Sequence, residues 1–449
     1  MSIKPRLSPF DLTMIVVSLV IGMGIFKTPG VVAMKAGSPW IFFSAWIFGG
    51  IVSLCGALTF AEIGARYPNA GGFYKVLSYC YHPALAFMVE WVLAISNIAS
   101  VAAVAIIGSE YINPILMPAN LQNDTGVKIT TITSVLVLYI INYLGIKMSA
   151  RVQNVLIVFK ISMIVLLCAA VFKHDIPPPI TTFIPYHGNI ITTFGICLVP
   201  VFFTYTGYAL TINFGGDIIA PKKNIPKAIF WGMGIVLVLY ISINYVYYSV
   251  LGFGGLQQTN VLAAKIAETL FGPIGYKITS VLMFLSVLAY VNVYILSNPR
   301  VYYAMAEDGI LPKIFKRLNP KTQVQEFSMT FFVAAILLIL FFVGSFSDLL
   351  SYTMFFNTIG LILGATSIFI LRKKTKELNV QGIYMIRLYP LTPLLFIAAY
   401  LFVAVSIFLA DPKALLICLA AFIIGLLIYY FTTRALKKEA ALTAGSVNE

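Results

Sequence analysis

The chain has 449 residues, 60% of them hydrophobic and only 10% charged, with a mean hydropathy of +0.93. A soluble domain carries about 25% charged residues, so the composition excludes a water-soluble globular protein and places the chain in lipid. The net charge of +14 does not mark a nucleic-acid binder, because most of the cations sit in short connections on one side of the apolar runs.

Taken in order, apolar runs of about 20 residues predict an all-α integral membrane protein with roughly twelve spanning helices. They start near Asp11, Trp40, Pro83, Ile129, Arg151, Ile190, Pro226, Pro273, Phe327, Asp348, Pro390 and Pro412, and the last ends near Arg434. The first run follows a short tail, MSIKPRLSPF, with no small-residue cleavage site, and reads as a retained span rather than a signal peptide. With a cytoplasmic N-terminus, the inner connections hold Lys4, Arg6, Lys222, Lys223, Lys227, Lys316, Arg317, Lys321, Arg372, Lys373, Lys374, Lys437 and Lys438. The opposite orientation inverts this bias, so both termini are expected in the cytoplasm of a multi-pass protein of the cytoplasmic membrane.

The first span contains VIGMGIFKTPG, residues 20–30, with Gly22 and Gly24 two apart where the helix should be continuous. Glycine costs about 1 kcal/mol against alanine inside a helix, and lipid offers nothing to the backbone groups it frees. Close helix packing is the competing reading, but small residues at a packing seam stand four apart rather than two. A second interruption is expected in PVFFTYTGY, residues 200–208. Paired breaks in corresponding spans point to a transporter binding site near the bilayer midplane. The expected organisation is one transporter domain over residues 11–434, between cytoplasmic tails at 1–10 and 435–449. Within it, two inverted five-span repeats (about 11–173 and 188–371) carry discontinuous helices 1 and 6, and two more helices follow at about 390–434. Residues 437–449 are expected to be disordered.

Lys160 stands nine residues past Arg151, about 14 Å along its helix at 1.5 Å per residue, near the middle of a ~30 Å core. An unpaired ammonium there is costly, so it is expected to face protein rather than to snorkel. Glu90 is a second intramembrane charge, read either as a proton carrier or pair partner, or as an inner-edge carboxylate in water. Asn97, Asn142, Asn244, Asn292 and Asn357 are polar groups inside spans, explained mostly by interhelical hydrogen bonds. The five cysteines form no disulfide framework, and His82, His174 and His187 stand near span ends without metal-ligand spacing. No metal, cofactor or catalytic constellation is expected, so an intramembrane enzyme is disfavoured; a channel filter is not visible either.

GMGIF (residues 22–26), AEIGARYPNAGGFY (61–74), FTYTGY with DIIAPKKNIPKAI, and YAMAEDGILP (303–312) together resemble the amino acid–polyamine–organocation superfamily. RVQNVLIVFK (151–160) is similar to the fifth span of its L-type amino acid transporter group and prokaryotic relatives, lysine included. The resemblance implies a secondary transporter working by alternating access, with sodium-independent exchange of neutral L-amino acids favoured over proton symport. A zwitterionic substrate needs partners for both charges: exposed N–H groups at the start of a half-helix suit the carboxylate, and carbonyls at half-helix ends suit the ammonium. Gly22, Met23, Gly24 and Ile25 are the expected substrate contacts at the first break, and Phe203, Thr204, Tyr205 and Gly207 at the second. By the same resemblance, Phe203 closes over the substrate from outside, Lys160 replaces a sodium ion, and Tyr240 works with Lys160; a plain core tyrosine is the competing reading. Asp217 and Arg300, with Glu307 and Asp308, are expected to lock the inner face rather than carry protons.

Three departures qualify the match: Met23 replaces a serine, Tyr208 a tryptophan, and Gly216 one of two acids beside Asp217. Lys27 also stands where the family is apolar, facing water, a substrate carboxylate or an acid such as Glu110. Some animal relatives pair with a heavy chain through a cysteine in the loop after span three; that loop has none here, so no disulfide-linked partner is expected.

Overall fold

Ser8 starts the first helix with a capping box: its hydroxyl accepts from Asp11 N–H, and the Asp11 carboxylate accepts from Ser8 N–H at 3.0 Å, with Pro9 opening the first turn. In the computed structural model, residues 5–169, 180, 182–184, 189–259, 262–341, 346–376, 383–410 and 412–445 are described. Helix α1 (Pro9–Val20) is followed by α2 (Gly24–Ala36), α3 (Pro39–Arg66), the short α4 (Gly72–Cys80) and α5 (Pro83–Leu116). Then come α6 (Asp124–Tyr143), α7 (Ile146–Ala169) and α8 (Ile190–Tyr205), with a 3₁₀ segment at Tyr208–Asn213. The remainder comprises α9 (Pro221–Gln258), α10 (Leu262–Glu307), α11 (Glu326–Ile339), α12 (Phe346–Lys374), α13 (Leu391–Ala410) and α14 (Pro412–Gly445). Proline sets the start of α1, α3, α5, α9 and α14, where its missing N–H is no loss and its fixed φ suits the first turn.

By length and composition, 11 helices among the described residues can cross a membrane, counting Pro9–Ala36 and Ile190–Asn213 as one each. The expected twelfth, from Phe327, is α11, whose 14 residues reach only about 21 Å at 1.5 Å per residue; residues 342–345 lie outside the described set. The span expected from Pro273 is found at Phe271–Glu307; α10 as a whole begins earlier, at Leu262, and is broken by non-helical Gly272 (φ 65°) just before the proline. The final helix also runs past Arg434 to Gly445, because the segment that follows the apolar run is rich in Ala, Leu, Lys and Glu, all good helix formers. Residues 446–449, His174, His187 and the expected start of the second half at Gly188 lie outside the described residues.

The long helices are sorted by how much of their apolar stretch they hide. In the most apolar window of each, 72% of residues are buried for α5, 67% for the α1–α2 pair and 67% for α10, against 11% for α14. Leu416, Leu419, Ile423, Ile424 and Leu427 on α14 are exposed, as a lipid-facing helix requires. The protein is an all-α, multi-pass membrane protein in which α1–α2, α5 and α10 are the most buried spans.

Candidate functional site at two helix interruptions

Helix α1 stops where Ile21 turns to ψ 86°. Gly22 N–H then folds back onto Val20 O at 2.8 Å, a three-residue turn, and α2 restarts at Gly24 after Met23. Phe26 N–H bonds Met23 O at 3.2 Å, but among the described residues the N–H groups of Met23, Gly24 and Ile25 meet no acceptor. These are the orphan donors of a helix start, at the positive end of the α2 dipole. At the second interruption, α8 ends at Tyr205, Thr206 is extended (φ −71°, ψ 169°), and Gly207 takes φ 114°. A Cβ on Gly207 would run into the Leu19 carbonyl, and one on Gly24 would meet the Thr204 side chain at 2.8 to 3.2 Å. The two interruptions therefore pack directly on each other.

Tyr240 on α9 ties them together. Its hydroxyl lies 3.0 Å from Val20 O and 3.1 Å from Thr204 O, so one proton is shared between the terminal carbonyls of both broken helices. Lys160, fully buried on α7, donates to the next carbonyl along, Ile21 O, at 2.5 Å. The lysine and tyrosine thus act on neighbouring carbonyls rather than on each other. About two turns before Lys160 on the same face of α7, a buried polar chain joins four helices. Gln153 donates to Ser18 Oγ (2.5 Å) and Ala289 O (3.1 Å) and accepts from Asn292 (2.6 Å). Asn142 donates to Asn292 Oδ1 (2.7 Å), and Ser149 donates to Asn142 Oδ1 (2.6 Å). Asn142 and Asn292 therefore make the expected interhelical bonds, whereas Asn244 bonds back to Tyr240 O within its own helix.

A cavity of about 40 Å³ lies between the interruptions, lined by Gly22, Met23, Gly24, Phe203 and Thr204 from the expected set. At about 10–15 Å³ per water it holds a few waters. Ile25 and Tyr205 do not line it. A residue next to a cavity-facing one is turned about 100° around its helix, and the Tyr205 ring packs instead on Trp46 (5.9 Å) and Tyr240 (4.9 Å). Gly207 lines a second cavity of about 40 Å³, which shares Asn97, Thr206, Tyr294 and Asn357 with the first. The polar wall made by Asn97, Ser100, Thr206, Tyr290, Tyr294 and Asn357 was not expected as a site. Ser100 pairs with the Tyr290 hydroxyl at 3.0 Å, and Asn97 donates to Asn298 at 3.0 Å. Met23 also lines a vestibule of about 510 Å³ at the face opposite the N-terminus, with Phe26, Lys27, Ile107, Glu110, Tyr111 and Tyr276. Among the described residues no cluster of three or more His, Cys, Asp or Glu could hold a metal.

Residues 7–415 match the family model described as amino acid permease. The chain belongs to that family. The permease is 32% identical over 430 residues to the serine/threonine exchanger SteT of Bacillus subtilis (strain 168), across 94% of this chain and 95% of that protein. It is 25% identical over 416 residues to the methylthioribose transporter of the same bacterium, across 88% of this chain and 86% of the other. To the large neutral amino acids transporter small subunit 2 of Oryctolagus cuniculus it is 24% identical over 423 residues, across 93% and 78%. It is a member of the amino acid–polyamine–organocation superfamily, a fold for secondary transport of amino acids.

At the N-terminal face the permease is shut. Arg300 Nε meets Asp217 Oδ2 at 2.6 Å with both side chains almost fully buried, and its guanidinium sits 4.6 Å over the Phe214 ring and bonds Leu296 O. Arg6 N–H and Leu7 N–H donate to Asp217 O at 2.7 and 2.9 Å, while Gly71 N–H and Phe73 N–H close onto Asn213 at 3.0 and 2.9 Å. Lys75 clamps Asp308 at 2.5 Å and Glu307 at 3.5 Å. A further buried cluster was not anticipated: Glu62 receives Arg66 (2.7 Å), Arg372 (2.7 and 2.8 Å) and Ile386 N–H (2.8 Å). Its sequence signal was the Glu62–Arg66 spacing of four, an ordinary helical ion pair. Glu90 is buried, and its Oε1 has no partner among the described residues.

Proposed function

We propose that the permease is a sodium-independent exchanger of small neutral L-amino acids that works by alternating access. The observation that carries this reading is the Lys160 ammonium on Ile21 O: a fixed cation occupies a carbonyl end of a broken helix, where a coupling ion would otherwise be held. The substrate carboxylate is received by the orphan N–H groups of residues 23–25 and the α2 dipole. Its ammonium meets Ile21 O just past α1 and Thr204 O at the end of α8, each of which keeps a second lone pair. Phe203 covers the substrate, and Asp217 with Arg300 holds the opposite gate. The tight, polar cavity favours small side chains, and the similarity to a serine/threonine exchanger supports the same size class. Within this reading the chain is one transporter domain of two inverted five-span repeats with two added helices, both termini are cytoplasmic, and no heavy chain is disulfide-linked to it. An L-type subgroup membership fits the lysine of the RVQNVLIVFK segment.

The test is counterflow in proteoliposomes: unlabelled serine or threonine loaded inside accelerates uptake of the labelled amino acid, and replacing sodium by choline leaves the rate unchanged. Absence of trans-stimulation, or a large fall in choline, removes the reading. The buried Glu90, whose Oε1 has no partner among the described residues, favours a second reading, proton symport, in which an imposed pH gradient drives net uptake without internal amino acid.

A further inference from the structure

We propose that the vestibule facing away from the N-terminus is a staging site for the zwitterion of an incoming α-amino acid, with Lys27 holding its carboxylate and Glu110 its ammonium. The assignment deepens the exchanger reading and rests on it. The vestibule measures about 510 Å³ against about 40 Å³ for the cavity beyond it, and the two share Met23 as a common wall. An amino acid arriving from this face is therefore accommodated in the larger chamber before the smaller one.

The chemistry of the walls is that of a dipolar ligand. Lys27 and Glu110 are both exposed, line the same chamber and lie within electrostatic reach of each other, and Asp124 adds its charge to the Glu110 side. Lys27 sits in the first turn of α2, where a cation opposes the helix dipole and is disfavoured by a few tenths of a kcal/mol or more. A bound carboxylate offsets that opposition, since it is attracted by the ammonium and by the helix start alike. Tyr111, Tyr276, Ile107 and Phe26 supply an apolar ledge for the side chain. A ligand with adjacent opposite charges satisfies both walls at once, whereas an amino acid amide or an N-acylated amino acid satisfies one. Held this way, the carboxylate lies on the α2 side, and the orphan N–H groups of residues 23–25 are the next anion site along the same helix.

The experiment is uptake from the vestibule side into preloaded proteoliposomes, comparing wild type with Lys27→Gln, Glu110→Gln, the double variant and Lys27→Arg. Exposed charge contacts of this kind are worth about 0.2–1 kcal/mol, so each single neutral variant raises KM by about two- to fivefold while kcat stays within about twofold. Lys27→Arg retains the wild-type KM. Raising salt to about 0.5 M screens the pair, so the wild-type KM climbs toward that of the double variant, whose own KM stays put. A fall in kcat at unchanged KM would mark a merely structural role and overturn the staging site. A double variant with wild-type KM and wild-type salt response overturns it too, leaving the central site intact. A wild type that exchanges no amino acid overturns both readings together.

Discussion

Among the described residues Lys160 has no acid beside it and is held in the middle of the bundle by one carbonyl, Ile21 O. Hydrogen bonds to a charged group are worth about 1.5–3 kcal/mol, and this one fixes the last turn of α1 where the helix is broken. Lys160→Met keeps the length and removes the charge; exchange is expected to fall by more than about tenfold, with the thermal midpoint kept within a few degrees, read by counterflow and thermal unfolding. Tyr240→Phe deletes the only hydroxyl that bridges Val20 O and Thr204 O among the described residues. Val20 O keeps the Gly22 N–H bond, but among the described residues Thr204 O is left unmet, at a cost of about 1–3 kcal/mol, so this variant is expected to lower both the thermal midpoint and the exchange rate. The depth of Lys160 was legible because it needs only a count along one helix. The Asn97 and Asn357 wall was not, since it depends on which way each helix is rotated, and that is settled by neighbours far away in sequence.

Two helices restart at glycine for different reasons. Gly24 has ordinary backbone angles but almost no room, with Thr204 beside it, whereas Gly207 has a positive φ of 114° and a carbonyl in the way. An L-residue forced into such a conformation costs about 1–3 kcal/mol before any clash is counted. Gly207→Ala is therefore expected to abolish exchange and reduce the yield of folded protein, while Gly234→Ala, where nothing lies within 4 Å of the added Cβ, leaves both unchanged; fluorescence-detected gel filtration and uptake check the pair. Both interruptions were readable from glycine placement in apolar runs. The span start at Pro273 was readable too, but the stretch of α10 before Gly272 and the short reach of α11 were not, because hydropathy alone does not report where a helix begins or stops.

The molecule has one door open and one shut. The vestibule reaches Met23 from one face, while Asp217–Arg300, the Lys75 clamp and the Leu7–Ile218 pairing close the other. Removing one member of a buried ion pair costs about 3–5 kcal/mol, mostly through the charge left behind. Asp217→Asn is thus expected to loosen the shut face, and a cysteine placed at Ala209, on the wall of the second cavity, should react faster with a polar thiol reagent supplied from the N-terminal side. The place of Asp217 and Arg300 at the N-terminal face could be expected from charges at helix ends, but their pairing across 83 residues could not, because only the packed bundle brings the segment after α8 against α10.

The seal on the N-terminal face also makes the carrier a rectifier. Any ligand that must wait for a minor conformer binds with its intrinsic affinity diluted by the population of that conformer. Amino acid on the latched side therefore needs a proportionally higher concentration to load than amino acid on the vestibule side. With the N-terminus in the cytoplasm as proposed, a cell could hold a concentrated internal pool without flooding the carrier, and still harvest a dilute external supply.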